Sequence, residues 1–270
     1  IYAWMAETSV AKLFFAGFLP GGLAGGAMMA LSYYYARKYN LPMEQKFSLR
    51  QVGRSTLHAF WALSIPIVIW GGIFLGIATA TEVAALAVLA AFAIGVFIYR
   101  ELPTREVLRI LKDSAGQTAV VMLIVASSAV LGWYLTSEQI PQKFARMILE
   151  TTSNKYLILF FLNIFFFIGG MFLHSAAAII LIVPIVMPLI RQIGVDPIHF
   201  GIIVTINLGV GQQTPPVATV LFTVAAIARL PFWKVFEAGW PFTLVLALVT
   251  LLVTYVPWIS MGPVNLITWR

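Results

Sequence analysis

The sequence contains no cysteine, which excludes a disulfide framework and a thiolate metal site. Charged residues make up only 10%, far too few to cover the surface of a soluble domain. No Ser-His-Asp order, zinc-binding HExxH helix or Gly-rich phosphate loop is present, and His58, His174 and His199 lie too far apart in sequence to suggest a local metal site. An enzyme therefore has little support. What fills the chain is apolar: 61% hydrophobic residues and a mean hydropathy of +0.94 describe an integral membrane protein. The net charge of +7 would in a soluble protein suggest nucleic acid. Here most of it sits in short connections between apolar spans, where it orients the chain and meets the lipid bilayer, and no nucleic-acid partner is expected. The opening Ile1-Tyr-Ala-Trp-Met carries no positively charged leader, so an N-terminal portion is expected to precede it, rather than a cleaved signal peptide.

Apolar runs and basic connections divide the chain into an all-α membrane architecture. Residues 1–36 read as the end of a first repeat, with Val10 to Ala36 as a spanning helix carrying Gly17, Pro20, Gly21, Gly22, Gly25 and Gly26 on its small-residue face. Residues 37–57 turn polar and basic (Arg37, Lys38, Lys46, Arg50 and Arg54 against Glu44), while Phe47, Leu49, Val52 and Leu57 form an apolar stripe; this predicts an arm helix lying in the membrane interface. Two spans follow within 58–99, joined by Ala78-Thr79-Ala80-Thr81-Glu82, and 100–117 reads as a second interfacial helix. Residues 118–228 hold a span, a segment 156–190 and an interrupted helix 197–228; 229–270 form the last span and a tail, with Trp258 and Trp269 as interfacial anchors. Gly169-Gly170 and His174-Ser175 near the middle of 156–190 favour a re-entrant helical hairpin with its tip near Met171 to Ser175, two full crossings being the alternative.

The basic connections 37–57 and 100–117 are separated by two spans and so share a side, which the positive-inside tendency makes cytoplasmic. Lys12-Leu-Phe-Phe-Ala-Gly17-Phe18 followed by Pro20 resembles Lys234-Val-Phe-Glu-Ala-Gly239-Trp240 followed by Pro241. In the charge-based topology these copies enter their spans from opposite sides, the inverted-repeat architecture of many secondary transporters. A match this short also arises by chance in apolar sequence.

Chemistry concentrates at Asn207-Leu-Gly-Val-Gly-Gln-Gln-Thr214-Pro215-Pro216-Val217. Two consecutive prolines remove two donors and cannot sit in a helix interior, so the helix must break within apolar surroundings. Each backbone group freed there costs several kcal/mol, about 2–7 by transfer measurements, unless something binds it. Asn207 and Thr214 offer side-chain oxygens, Gly209 and Gly211 let carbonyls approach an ion, and Pro215 fixes the break; neutral oxygens of this kind suit sodium. No acidic residue occurs in this stretch, which argues against a protonated carboxylate as the coupling group. The competing reading is a kinked packing helix whose polar groups are satisfied by neighbours.

At the hairpin tip, Ser175 reads as an N-cap whose helix dipole favours an anionic group such as a carboxylate. Gly170 permits close approach there, and His174 is either a packed or solvent-bridging residue or a proton carrier. Thr79, Thr81 and Glu82 begin a span, where Thr81 as cap and Glu82 as complement to the dipole account for the pattern without a coupling role. Arg191, Asp196 and His199 lie between elements and are expected to be solvated. Gln212 and Gln213 offer amides to a polar substrate or to neighbouring helices.

Several segments together resemble the large membrane subunit (DctM-like M subunit) of tripartite ATP-independent periplasmic (TRAP) transporters. They are Ser9-Val-Ala-Lys-Leu-Phe-Phe-Ala-Gly17, Gly76-Ile-Ala-Thr-Ala-Thr-Glu82 with the span ending Tyr99-Arg-Glu-Leu102, Glu138-Gln-Ile-Pro-Gln142, Asp196-Pro-Ile-His-Phe-Gly201-Ile202, Asn207-Leu-Gly-Val-Gly211 and Thr214-Pro-Pro-Val-Ala-Thr-Val-Leu-Phe222. The resemblance covers the later part of that subunit and implies a bacterial inner-membrane, multi-pass, sodium-coupled importer of organic acids, a dicarboxylate or a sugar acid such as sialic acid, working by an elevator movement. It implies a periplasmic substrate-binding protein, a small four-helix membrane subunit, separate or fused, and a preceding part of the same subunit. By matching position, Ser175 to Ala178 form the outward hairpin tip and Asn207 to Pro216 the sodium-binding break. The chain departs from the family pattern at His174, where many members carry an acid, and at Ala80, where many carry Pro. Two alternatives stand beside this reading: a sodium/carboxylate symporter of related architecture needing no binding protein, and a non-transporting channel or scaffold subunit.

Overall fold

A computed structural model describes residues 1–40 and 48–266. Glu44, Lys46 and Phe47 of the expected interfacial arm, and the expected anchor Trp269, lie outside the described residues. The described chain is helical: α1 Tyr2–Met5, α2 Val10–Ala16, α3 Phe18–Lys38, α4 Leu49–His58, α5 Phe60–Phe74, α6 Ala80–Ala93 continued by a wide turn Ile94–Ile98, α7 Thr104–Ser137, α8 Ile140–Thr151, α9 Lys155–Phe172, α10 Ser175–Gln192, α11 Pro197–Gly211, α12 Thr219–Ala228, α13 Phe232–Tyr255 and α14 Trp258–Asn265. Among the described residues six helices are long and apolar enough to cross a membrane, and seven if the bent pair α4–α5 counts as one. Apolar side chains such as Leu123, Val130 and Trp133 of α7 stand exposed, and the apolar window of that helix buries nothing within the protein. With six such helices and so much apolar surface outward, this is a multi-pass membrane protein.

The chain divides into two compact units, Ile1–Lys38 with Val121–Arg270, and Tyr39–Val120. In the first, α8, α9, α10 and α11 enclose a core of Phe166, Phe200, Leu189, Ile190 and Leu208, with the Phe166 and Phe200 rings edge to face at 5.8 Å. Where helices meet in lipid, apolar burial drives little, because the tails are as apolar as Leu; close packing and polar contacts do the specifying. Both are visible. Asp196 accepts hydrogen bonds from the Ile198 and His199 amides and starts α11, with Pro197 supplying a pre-set first position. Tyr2 donates its hydroxyl to the Pro197 carbonyl at 2.6 Å, tying α1 to this corner.

Helix α3 packs antiparallel to α13: Ala24 and Ala27 pack on the cluster of Val249 and Val253, whereas Tyr35, farther along α3, meets Phe242, nearer the start of α13. The two resembling segments, 12–20 and 234–241, therefore run in opposite directions, as inverted copies must. The tail continues past Tyr255 as α14, which returns to pack on α2 and α11 through Val264 and Ser260.

One expectation is redrawn. The interfacial segment 100–117 and the span beginning at 119 are one uninterrupted helix, α7, of 34 residues. Between Lys112 and Val121 the only breaker is Gly116, which a helix tolerates at a cost of about 1 kcal/mol, so nothing stops propagation. At about 1.5 Å per residue α7 is roughly 50 Å long, well beyond a hydrocarbon core of about 30 Å, and its charged first third, Arg105 to Asp113, supplies the excess.

Candidate functional site

Helix α11 ends at Gly211, and α12 begins at Thr219 after a segment containing a cis Pro215–Pro216 bond. At its C-terminal end the chain satisfies some of its own carbonyls: Gln212 and Gln213 amides donate to Leu208 and Val210, the Thr214 amide to Gly211, and the Val220 amide to Gln212. Among the described residues, the carbonyls of Gln213, Thr214, Pro215, Pro216 and Val217 accept no hydrogen bond. Prolines at 215 and 216 cannot donate, and fully buried Ala218 holds φ 43°, in the left-handed region, which re-aims the chain before it can cap itself. The result is a run of carbonyl oxygens without hydrogen-bond donors between two helix ends.

Thr214 belongs to that run. Its hydroxyl donates to the Val210 carbonyl at 3.0 Å, so the oxygen's lone pairs point away from α11. Asn207 is 5% exposed, and its Nδ2 donates to Asn163 Oδ1 at 2.5 Å and to the Ile203 carbonyl at 3.0 Å, turning Oδ1 the other way. Gly209 and Gly211 play different parts from those expected. Their carbonyls already accept bonds, from Gln213 Nε2 at 3.4 Å and the Thr214 amide at 2.9 Å. Gly211 is required by packing: a Cβ there would lie 2.6 Å from the Phe167 carbonyl oxygen and 2.7 Å from Gly170 Cα, while a Cβ on Gly170 would lie 2.9 Å from the Leu208 carbonyl oxygen. Nothing lies within 4 Å of a Cβ at Gly209.

That Gly170–Gly211 contact sets α9 against α11 at the level where both helices end. Two residues later α9 stops, and Leu173 and His174, both extended, lead into α10. His174, not Ser175, is the N-cap: its Nδ1 accepts from the Ala176 amide at 3.4 Å, and Ser175 is the first helical residue. An imidazole nitrogen can accept at this position as a hydroxyl can, and the exposed ring is thereby committed to the helix end. Among the described residues the Ser175 and Ala177 amides donate to nothing. The junction between α9 and α10 thus offers N–H donors at a helix N-terminus and the break offers carbonyls at a helix C-terminus, a pairing suited to an anion and a cation respectively. Gln212 adds a buried Nε2 with no partner, a further donor at the break.

A match to the family described as "Tripartite ATP-independent periplasmic transporter, DctM component" runs over residues 1–259. The chain belongs to this DctM family. It is 36% identical over 265 residues to the C4-dicarboxylate TRAP transporter large permease protein DctM of Pseudomonas aeruginosa, covering 98% of this chain and 62% of that relative. It is 35% identical over 257 residues to the sialic acid TRAP transporter large permease protein SiaM of Vibrio cholerae, covering 95% and 60%. The isethionate TRAP transporter permease protein DctMQ of Oleidesulfovibrio alaskensis is 36% identical over 262 residues, covering 97% and 41%. The chain therefore spans about three-fifths of the first and second of these and two-fifths of the third.

Within this DctM-family chain, the remaining expected residues have local roles of their own. Thr79, Thr81 and Glu82 belong to the unit Tyr39–Val120 and open α6. The cap is Thr79 and not Thr81: the Thr79 hydroxyl oxygen accepts from the Glu82 amide at 3.4 Å, and Glu82 Oε2 accepts from the Thr79 amide at 2.7 Å, a reciprocal capping box that occupies the carboxylate. Arg191 and Asp196 are exposed, as expected, whereas His199 is buried, contrary to expectation. Arg191 Nη2 reaches the Ala6 carbonyl at 3.5 Å, and His199, 3% exposed, holds Ser260 Oγ at 2.6 Å through Nδ1. These partners are more than 60 residues distant in sequence, beyond the reach of local reasoning.

Asn163 was missed altogether. It is buried in α9, and its Oδ1 accepts from Asn207 Nδ2 and from Thr254 Oγ1 at 3.3 Å, joining α9, α11 and α13. The available signal was a lone amide in the apolar run Tyr156 to Phe172, which in a membrane segment is costly enough to mark a partner or a function.

Proposed function

We propose that this chain forms part of a sodium-coupled importer of an organic acid, in which sodium, as co-transported cargo, binds at the helix break and the acid's anionic group meets the hairpin tip. The observation that carries the reading is the row of unpaired carbonyls from Gln213 to Val217 beside the Thr214 hydroxyl. At membrane depth a carbonyl without a donor costs several kcal/mol, about 2–7 per group by transfer measurements, and a hard monovalent cation with neutral oxygen ligands removes that cost. The Ser175 and Ala177 amides and Gln212 Nε2 supply the opposite polarity, which a carboxylate or sulfonate accepts. Relatives named for C4-dicarboxylate, sialic acid and isethionate share that anionic character, which supports an organic acid as the substrate class.

In this reading α9, α10, α11 and α12 belong to a moving domain. An empty break holds exposed carbonyls that resist passage through lipid; sodium neutralises them, and the loaded domain then moves as an elevator against a scaffold. A periplasmic binding protein would deliver the acid at the inner membrane and a small membrane subunit would brace the permease, and the fused DctMQ relative supports such a subunit. The test is reconstituted uptake with Asn207→Ala and Thr214→Ala combined. Sodium activation should weaken by about tenfold in half-saturating concentration, the effect of losing roughly 1.4 kcal/mol of ion binding. Unchanged sodium activation removes the assignment.

A further inference from the structure

Helix α4 has two faces with opposite demands. On a helical projection Leu49, Val52 and Leu57 share one arc with Gly53 and Thr56 between them, while Arg50, Arg54 and His58 stand four residues apart along the other, flanked by Gln51 and Ser55. The apolar side chains are not covered by the protein: Leu49 is 77% and Leu57 76% exposed. The polar residues line an open concavity together with Ser48.

The position of this helix within its unit identifies the surroundings. Helices α5 and α6 form an antiparallel hairpin, with Gly72 against Val83 near its closed end. At the other end the chain bends by 70° between α4 and α5, and Tyr99, which closes the last turn of the α6 span, donates its hydroxyl to the His58 carbonyl at 2.9 Å. The corner at His58 is therefore pinned to the level where an apolar span gives way to Tyr99-Arg100. A tyrosine and an arginine at a span end mark the headgroup layer. Helix α4 turns sharply off the span at that level, with its apolar arc available to acyl chains and its basic arc to phosphates.

We propose that Arg50 and Arg54, with Ser55 and His58, form a binding site for the phosphate of an anionic phospholipid. Two guanidiniums one turn apart offer forked donors that match phosphate oxygens, and the Ser55 hydroxyl extends the same surface. Leu49, Val52 and Leu57 seat the acyl chains of the same lipid layer, so charge and apolar contact act together, as a soluble anion could not exploit. The site is distinct from the helix break and does not depend on sodium or on the transported acid.

The experiment purifies the full chain, with any subunits that accompany it, from vesicles of equal phosphatidylglycerol and phosphatidylcholine, and measures retained lipid by native mass spectrometry. The wild type should retain phosphatidylglycerol selectively. Arg50→Gln combined with Arg54→Gln should lower that retention by about 30-fold, the effect of two surface cations, while Arg50→Lys with Arg54→Lys should keep most of it. Equal retention in the Gln and wild-type proteins would overturn the proposal. So would displacement of the lipid by millimolar inorganic phosphate, which would make the surface a free-anion site.

Discussion

Asn207 Nδ2 donates to Asn163 Oδ1 at 2.5 Å, and this bond joins the helix that breaks to the helix that ends at the junction with α10. Thr254 Oγ1 donates to the same oxygen at 3.3 Å, bringing α13 into the junction. One amide thus fixes three helices just before two of them terminate.

Replacing Asn163 by alanine leaves one Asn207 N–H buried without its acceptor, while Asn207 keeps its bond to the Ile203 carbonyl and the Thr254 hydroxyl keeps its bond to the Thr250 carbonyl at 2.7 Å. Interhelical hydrogen bonds in membranes average about 0.6 kcal/mol, but an abandoned buried donor costs about 1–3 kcal/mol, so the second effect dominates. Thermal unfolding in detergent should show Asn163→Ala destabilised by about 2 kcal/mol, which is the sum of a partial desolvation penalty and lost packing. Equal stability of wild type and Asn163→Ala would mean that the junction does not hold the helices.

The three glycines of the site separate into two kinds. At Gly170 and Gly211 a Cβ would come within 3 Å of backbone atoms of the facing helix, so Gly170→Ala and Gly211→Ala should push α9 and α11 apart and lower thermal stability by about 1–3 kcal/mol, the usual cost of overpacking. At Gly209 there is open space, and Gly209→Ala should be neutral or stabilising by up to about 1 kcal/mol from helix propensity. Comparative unfolding curves of the three variants check the order.

The break itself was legible from the prolines, because ring geometry forbids a helix through Pro215 and Pro216 whatever surrounds them. So were the spans and the junction at Leu173–His174, where α9 ends and α10 begins, since length and polarity are local properties. The roles of individual residues were not. Gly211 looked like an ion-approach position because its contact with Gly170 joins segments 41 residues apart, and His174 took the cap because which of two adjacent polar residues falls at a helix end is decided by backbone geometry. Thr79 against Thr81 is the same ambiguity. His199 and Asn163 depend on partners from other helices, which no period in the sequence announces.

The capping box at α6 gives a further prediction. Thr79→Ala removes the acceptor for the Glu82 amide and should destabilise by about 1 kcal/mol, whereas Thr81→Ala should change stability little. Because the box occupies Glu82, both variants should keep wild-type sodium activation of uptake; loss of activation in Thr79→Ala would give this turn a coupling role.

Tyr2 makes stability depend on alkaline pH. Burial, and after it the Asp196 carboxylate, raise its hydroxyl well above the ordinary 10.0. The unfolded chain releases this proton near pH 10 while the folded chain retains it, so its contribution is complete below that pH and declines as pH rises further. Tyr2→Phe loses the bond to Pro197 and should be less stable at pH 7, by about 1 kcal/mol, and the gap to wild type should narrow above pH 10. Unfolding measured between pH 7 and 11 reads both effects.

The most direct measurement is equilibrium sodium binding to the purified protein, compared with Thr214→Ala and Asn207→Ala. If sodium is held at the break between Gln213 and Val217, each substitution weakens binding by several-fold while leaving the thermal stability measured without sodium within about 2 kcal/mol of wild type. Sodium affinity unchanged in both variants would contradict the account.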